Sequence, residues 1–87
     1  MIQVLLPTQL QSYSAGVSRV QASGATVDLV LRDLDQRFAG LRFRVVDEQD
    51  RIRRHMRIFV GGEAANDIQR PVADGDEVLI FGALSGG

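Results

Sequence analysis

Thr26-Val27-Asp28-Leu29-Val30-Leu31-Arg32-Asp33-Leu34-Asp35-Gln36-Arg37-Phe38-Ala39-Gly40 is the one long helical stretch in this 87-residue chain. Val27, Val30, Leu31, Leu34 and Phe38 recur at spacings of three and four, which gathers them on one helix face. Thr26 offers an N-cap oxygen, Asp28 puts a negative charge in the first turn, and Gly40 stands where a left-handed C-cap belongs. The spacing predicts about three and a half turns. Arg32, Asp33, Gln36 and Arg37 fall on the opposite face, with Asp33 and Arg37 four apart and able to pair, so that face reads as solvated.

The segments on either side read as strands. Ile2, Val4 and Leu6 alternate with Gln3 and Leu5 and stop at Pro7, and Ser18, Val20 and Ala22 share one face of a second extended stretch, Gly16 to Ala22. Ser12, Ser14 and Gly16 supply the loop of this opening hairpin. Beyond the helix, Leu41, Phe43 and Val45 alternate with Arg42 and Arg44, which predicts another strand before a polar turn at Asp47 to Asp50. Met56, Ile58 and Val60 alternate with Arg57 and Phe59 and run into the turn pair Gly61-Gly62. After the turn at Asp74-Gly75-Asp76, Val78 and Ile80 alternate with Leu79 and Phe81 in the last strand.

A single helix with one apolar stripe must cross one face of a mixed sheet to bury it. The order hairpin, helix, further strands is the α+β layout of a β-grasp, ubiquitin-like fold, with residues 1–82 forming the domain and residues 83–87 a C-terminal tail. A fold of this kind leaves the chemistry open.

Composition narrows the chemistry by exclusion. The chain is 45% hydrophobic and 24% charged, with net charge −1, one Tyr and four Phe. Such a balance creates no large positive field, and the aromatics form no stacking series among basic residues, so nucleic acid is not an expected partner. No apolar run approaches the length of a membrane span, and a cytoplasmic location is the default. There is no cysteine, and all ten basic side chains are arginine. Disulfides, thiolate nucleophiles and cysteine metal sites are excluded, and the Met1 α-amino group is the only amine. His55 has no companion ligands, and the acidic runs Asp47, Glu48, Asp50 and Asp74, Asp76, Glu77 do not match a calcium loop, so no metal site is expected.

Three segments carry a family resemblance: Arg57-Ile58-Phe59-Val60-Gly61-Gly62-Glu63, Pro71-Val72-Ala73-Asp74-Gly75-Asp76-Glu77-Val78, and Ala83-Leu84-Ser85-Gly86-Gly87. In this order and spacing they resemble the MoaD/ThiS family of ubiquitin-like sulfur carriers. Leu6-Pro7-Thr8 and Ala22-Ser23-Gly24-Ala25-Thr26 look most like its CysO-like branch. Gly61 replaces the usual Asn of the turn, Gly82 stands where Pro is frequent, and residues 64–70 are shorter than in that branch and nearer the molybdopterin-type length.

The resemblance implies that the Gly87 carboxylate is the reactive group, with Gly86 giving the tail a thin end. An E1-like adenylating enzyme of the MoeB/ThiF type would use ATP to form the acyl-adenylate, and a sulfur donor protein would convert it to a thiocarboxylate. A downstream synthase would then accept the sulfur. The chain itself would be a carrier and not an enzyme, with no bound cofactor. For partner binding, alternation puts Phe59, Leu79 and Phe81 on the face opposite Ile58, Val60, Val78 and Ile80, and Leu84 adds to that patch or plugs a partner's channel. Arg51, Arg53, Arg54, Arg57 and His55 form the densest charged cluster, either a solvated turn or a surface that steers an acidic partner or phosphate.

Three readings stay open on these residues: a sulfur carrier, a ubiquitin-like modifier conjugated through the same terminus, and a β-grasp binding module whose Gly-Gly is inert.

Overall fold

The computed structural model describes residues 1–82. Its strands are β1 (Ile2–Leu5), β2 (Arg19–Ala22), β3 (Met56–Val60), β4 (Glu63–Ala64) and β5 (Glu77–Gly82), and its helices are α1 (Val27–Arg37) and α2 (Leu41–Val45). The strands form one sheet in the order β2-β1-β5-β3-β4. β1 and β5 run parallel at its centre, and the other pairs are antiparallel. The β-grasp expected from the order of elements is what forms.

α1 closes one face of the sheet. Val27, Val30, Leu31 and Leu34 are fully buried, against an inner sheet face of Ile2, Val4, Ala22, Met56, Ile58, Val60, Val78 and Ile80. Thr26 caps the helix as its sequence predicts, its Oγ1 accepting from Leu29 N–H at 3.2 Å. Phe38, expected on the buried stripe, packs against the core but is only partly covered.

The helix ends earlier than its sequence predicts, and the chain does not return at once to a strand. Phe38 is the C-cap of α1, while Gly40, at φ +92°, starts α2. Residues 41–45 are therefore helical where alternation predicts a strand. The apolar pattern fits both periods, because Leu41 and Val45 lie four apart as well as two steps of two. Burial separates them: Leu41 and Val45 are inside, and Phe43, which a strand would put beside them, is 53% exposed. Asp35 secures the reversal by accepting from Gly40 N–H and Arg42 N–H, each at 3.1 Å.

The hairpin loop also holds structure that the sequence reading omits. β2 begins at Arg19 and not at Gly16, and Thr8–Leu10 forms a short 3-10 helix. Leu10 is the reason, since its side chain is 1% exposed. Burying a leucine contributes about 1.5–3 kcal/mol, enough to hold the loop over the core. The turns at 47–50 and 61–62 form as expected: Asp47 Oδ1 accepts from Gln49 and Arg51 N–H, and Gly61 and Gly62 have φ +55° and +87°.

Candidate functional site

The face of the sheet turned away from α1 is built by the outward residues of each strand. Strand register sets Arg19 opposite Leu5, Leu5 beside Leu79, Leu79 opposite Phe59, and Phe59 opposite Ala64. One apolar row, Leu5, Leu79, Phe59 and Ala64, thus crosses four strands. Phe81 lies one step further along β5, and its ring stacks on that of Phe59 with centroids 5.6 Å apart and planes 20° from parallel.

The alternation that predicts Phe59, Leu79 and Phe81 on one face is therefore borne out in space. Leu79, at the centre of the row, is 36% exposed, while Phe59 and Phe81 cover each other and are half-buried. Aromatic pairs in this geometry add about 0.5–1.5 kcal/mol beyond the area they bury, which fixes the ring edges as a firm surface. Leu5 and Ala64 complete the row and were not singled out by sequence. The signal was present at Leu5, an apolar residue at an outward position between the inward Val4 and Leu6.

This face adjoins the start of the tail. Phe81 is followed by Gly82, which is in register with Met56, and from there the chain passes into residues 83–87. Gln9 closes one side of that point: a Cβ on Gly82 would lie 2.0 Å from Gln9 Nε2, the free end of a flexible side chain. Gly82 is thus not required by its backbone, and the contact would yield to a larger residue. Leu84, Gly86 and Gly87 lie outside the described residues.

The other side of the exit is cationic. Arg57 is opposite Phe81 across β3 and β5, and its Nη1 donates to Arg54 O at 2.8 Å and Met56 O at 3.0 Å. Beside it, Ile52, Arg53, Arg54, Met56, Ala65 and Asn66 help line an open groove of about 430 Å³. The Arg57 bond to Arg54 O ties these two arginines together, and Arg53 lines the same groove. Arg51, close by, is instead paired, its Nε 3.7 Å from an Asp47 oxygen.

A five-stranded mixed sheet gripping one main helix, with an apolar outer face beside a C-terminal exit, places the molecule among the ubiquitin-like β-grasp proteins. Within them the chain belongs to the ThiS family, whose model matches residues 4–87. The sulfur carrier protein CysO of Mycobacterium tuberculosis is 32% identical over 91 residues, covering 99% of this chain and 98% of that protein. A chain of the Amycolatopsis orientalis BexX/CysO complex superposes with a TM-score of 0.92 at 32% identity over the whole of both chains. SAMP1 of Haloferax volcanii, a small archaeal modifier protein, matches with a TM-score of 0.76 at 30% identity over 99% of this chain and 98% of that one. Among the described residues no helix is long and apolar enough to cross a membrane.

Proposed function

We propose that this chain is a sulfur carrier whose Gly87 carboxylate is adenylated by an E1-like enzyme and exchanged for a thiocarboxylate that supplies sulfur to a biosynthetic pathway. The observation that carries this reading is that the family match runs through Gly86 and Gly87 themselves, together with the domain before them. A free carboxylate is a poor electrophile. Adenylation makes its carbonyl carbon attackable, and a donor sulfur can then displace AMP.

On this reading the folded domain recognises partners and the tail delivers the reacting atom. Leu79, Leu5, Phe59 and Phe81 offer a partner a firm apolar surface next to the end of β5, and Leu84 precedes the reactive end by three positions in the sequence. The absence of cysteine and lysine leaves the chain no side-chain thiol or amine to capture its own activated acyl group. The chain acts as co-substrate of its partner enzymes, in the cytoplasm, with ATP consumed by the activating enzyme.

Likeness to SAMP1 supports a second reading, in which the same activated terminus forms amide bonds to lysines of other proteins. Both readings need Gly87 and Gly86. In pyrophosphate exchange with the cognate activating enzyme, deleting Gly87 is expected to abolish exchange, and Gly86→Ala to slow it at least tenfold, since a Cβ crowds a narrow channel. Exchange at the wild-type rate in either variant would show that activation does not occur at this terminus.

A further inference from the structure

Five of the ten arginines sit in ion pairs. Arg32 and Arg42 pair with Asp28, Arg37 with Asp33, Arg51 with Asp47 and Arg70 with Glu63. Among the described residues no carboxylate pairs with Arg53, Arg54 or Arg57, although the chain has more acidic than basic side chains. Among the same residues Arg19 and Arg44 also lack a carboxylate partner, but Arg53, Arg54 and Arg57 are the ones that line one groove together, and Met56 in the same lining is in register with Gly82.

Two of these guanidinium groups are oriented by neutral partners. Arg57 uses only Nη1 on the carbonyls of Arg54 and Met56. Arg53 donates from Nε to Phe43 O at 2.7 Å and lies 4.5 Å above the Phe43 ring. Each keeps spare N–H donors in a planar fork, the geometry that matches a carboxylate or phosphate. Asp47, near the same groove, is already occupied by Arg51 and by the Gln49 and Arg51 N–H groups.

Resting on the sulfur-carrier reading, we propose that this groove docks a carboxylate-bearing segment of the activating enzyme, with Arg54 and Arg57 as its anchors. The apolar residues Ile52, Ala65, Phe59 and Ala64 line the groove, and Phe59 and Ala64 also belong to the row around Leu79, so one partner surface can cover both. No glycine loop lines the groove to cradle a phosphate with backbone N–H groups, and spaced forks beside apolar residues suit protein carboxylates better. With a net charge of only −1 the attraction is local, acting within a Debye length of about 10 Å.

The test is the binding of the full chain to its cognate adenylating enzyme, with rates measured from about 50 mM to about 500 mM salt. The variant Arg54→Glu/Arg57→Gln is expected to bind at least tenfold more weakly at low salt, chiefly through slower association, and to lose most of the salt dependence. Leu79→Ala should instead speed dissociation and leave the salt dependence intact. Circular dichroism of the arginine variant must match wild type, and Arg54→Gln alone, at an exposed position, should show about half the loss of salt dependence. Wild-type affinity and salt dependence in both arginine variants would overturn the proposal. So would loss of inorganic phosphate binding to the chain alone with enzyme binding unchanged, which would make the groove a small-anion site. A wild-type chain that the enzyme neither binds nor adenylates would overturn the carrier reading and this inference with it.

Discussion

Asp28 shows how much one side chain contributes here. It was legible from sequence as a first-turn acid, yet its carboxylate holds Arg42 through Nε at 3.1 Å and Nη2 at 2.8 Å, and Arg32 through Nε at 3.0 Å. Arg42 also reaches Asp50 at 3.1 Å, so α1, α2 and the 47–50 turn are tied at one point. Burial raises the Asp28 pKa, but hydrogen bonds from Arg42 and Arg32, with their charges, outweigh it and leave the carboxyl below its ordinary 3.8. A group lowered in the folded state adds stability that is fully present above its unfolded pKa and is lost as pH falls through the folded value. Asp28→Asn is therefore expected to cost about 1–3 kcal/mol at neutral pH and to flatten the fall in stability below about pH 4. Part of the acid dependence should remain, because the Arg51 N–H above all holds the Asp47 carboxyl below its ordinary value as well. Urea titrations of both proteins at pH 7 and pH 3 decide it, and equal losses on acidification would show that Asp28 is not a source of that dependence.

At the scale of elements, the strands that were legible are those whose apolar period has one interpretation. Met56–Val60 and Val78–Phe81 alternate strictly, and each folds with the predicted residues inside. Residues 41–45 were not legible, because Leu41 and Val45 share a face in a strand and in a helical turn alike, and only the exposure of Phe43 between them settles it. The Asp33–Arg37 pair was legible as a pair, but not its task. Arg37 Nη2 donates to Gln21 O of edge strand β2 at 2.6 Å, and Asp33 Oδ2 accepts from the N–H of Ser23, the residue just past that strand, at 3.0 Å. The pair occupies backbone groups that would otherwise template another strand. Asp33→Ala/Arg37→Ala is expected to lower stability by about 1–2 kcal/mol and to produce concentration-dependent oligomers in light scattering. A monodisperse variant at high concentration would show that this edge needs no cover.

For the whole molecule, the sheet separates two tasks. Its inner face, closed by α1, supplies the core, and its outer face gathers Leu5, Leu79, Phe59 and Phe81 beside the point where β5 passes into the tail. The outer face was partly legible, since alternation alone puts Phe59, Leu79 and Phe81 together. The contribution of Leu5 needed the parallel β1–β5 pairing, which joins the first and last strands and has no local sequence signature. The Arg53–Arg57 rim was visible as a charge cluster, but its lack of acidic partners emerges only from the ion pairs of the structure, where Arg51, close in sequence, is paired with Asp47 and, among the described residues, Arg53, Arg54 and Arg57 are not paired. Membership of the ThiS family joins this architecture to the chemistry proposed for Gly87. The most direct measurement is the intact mass of the protein isolated from its native host, with peptide mapping of the C-terminus. The account predicts a species heavier by the exchange of one oxygen for one sulfur, located at Gly87; an unmodified free acid in sulfur-starved and sulfur-replete cells alike would contradict it.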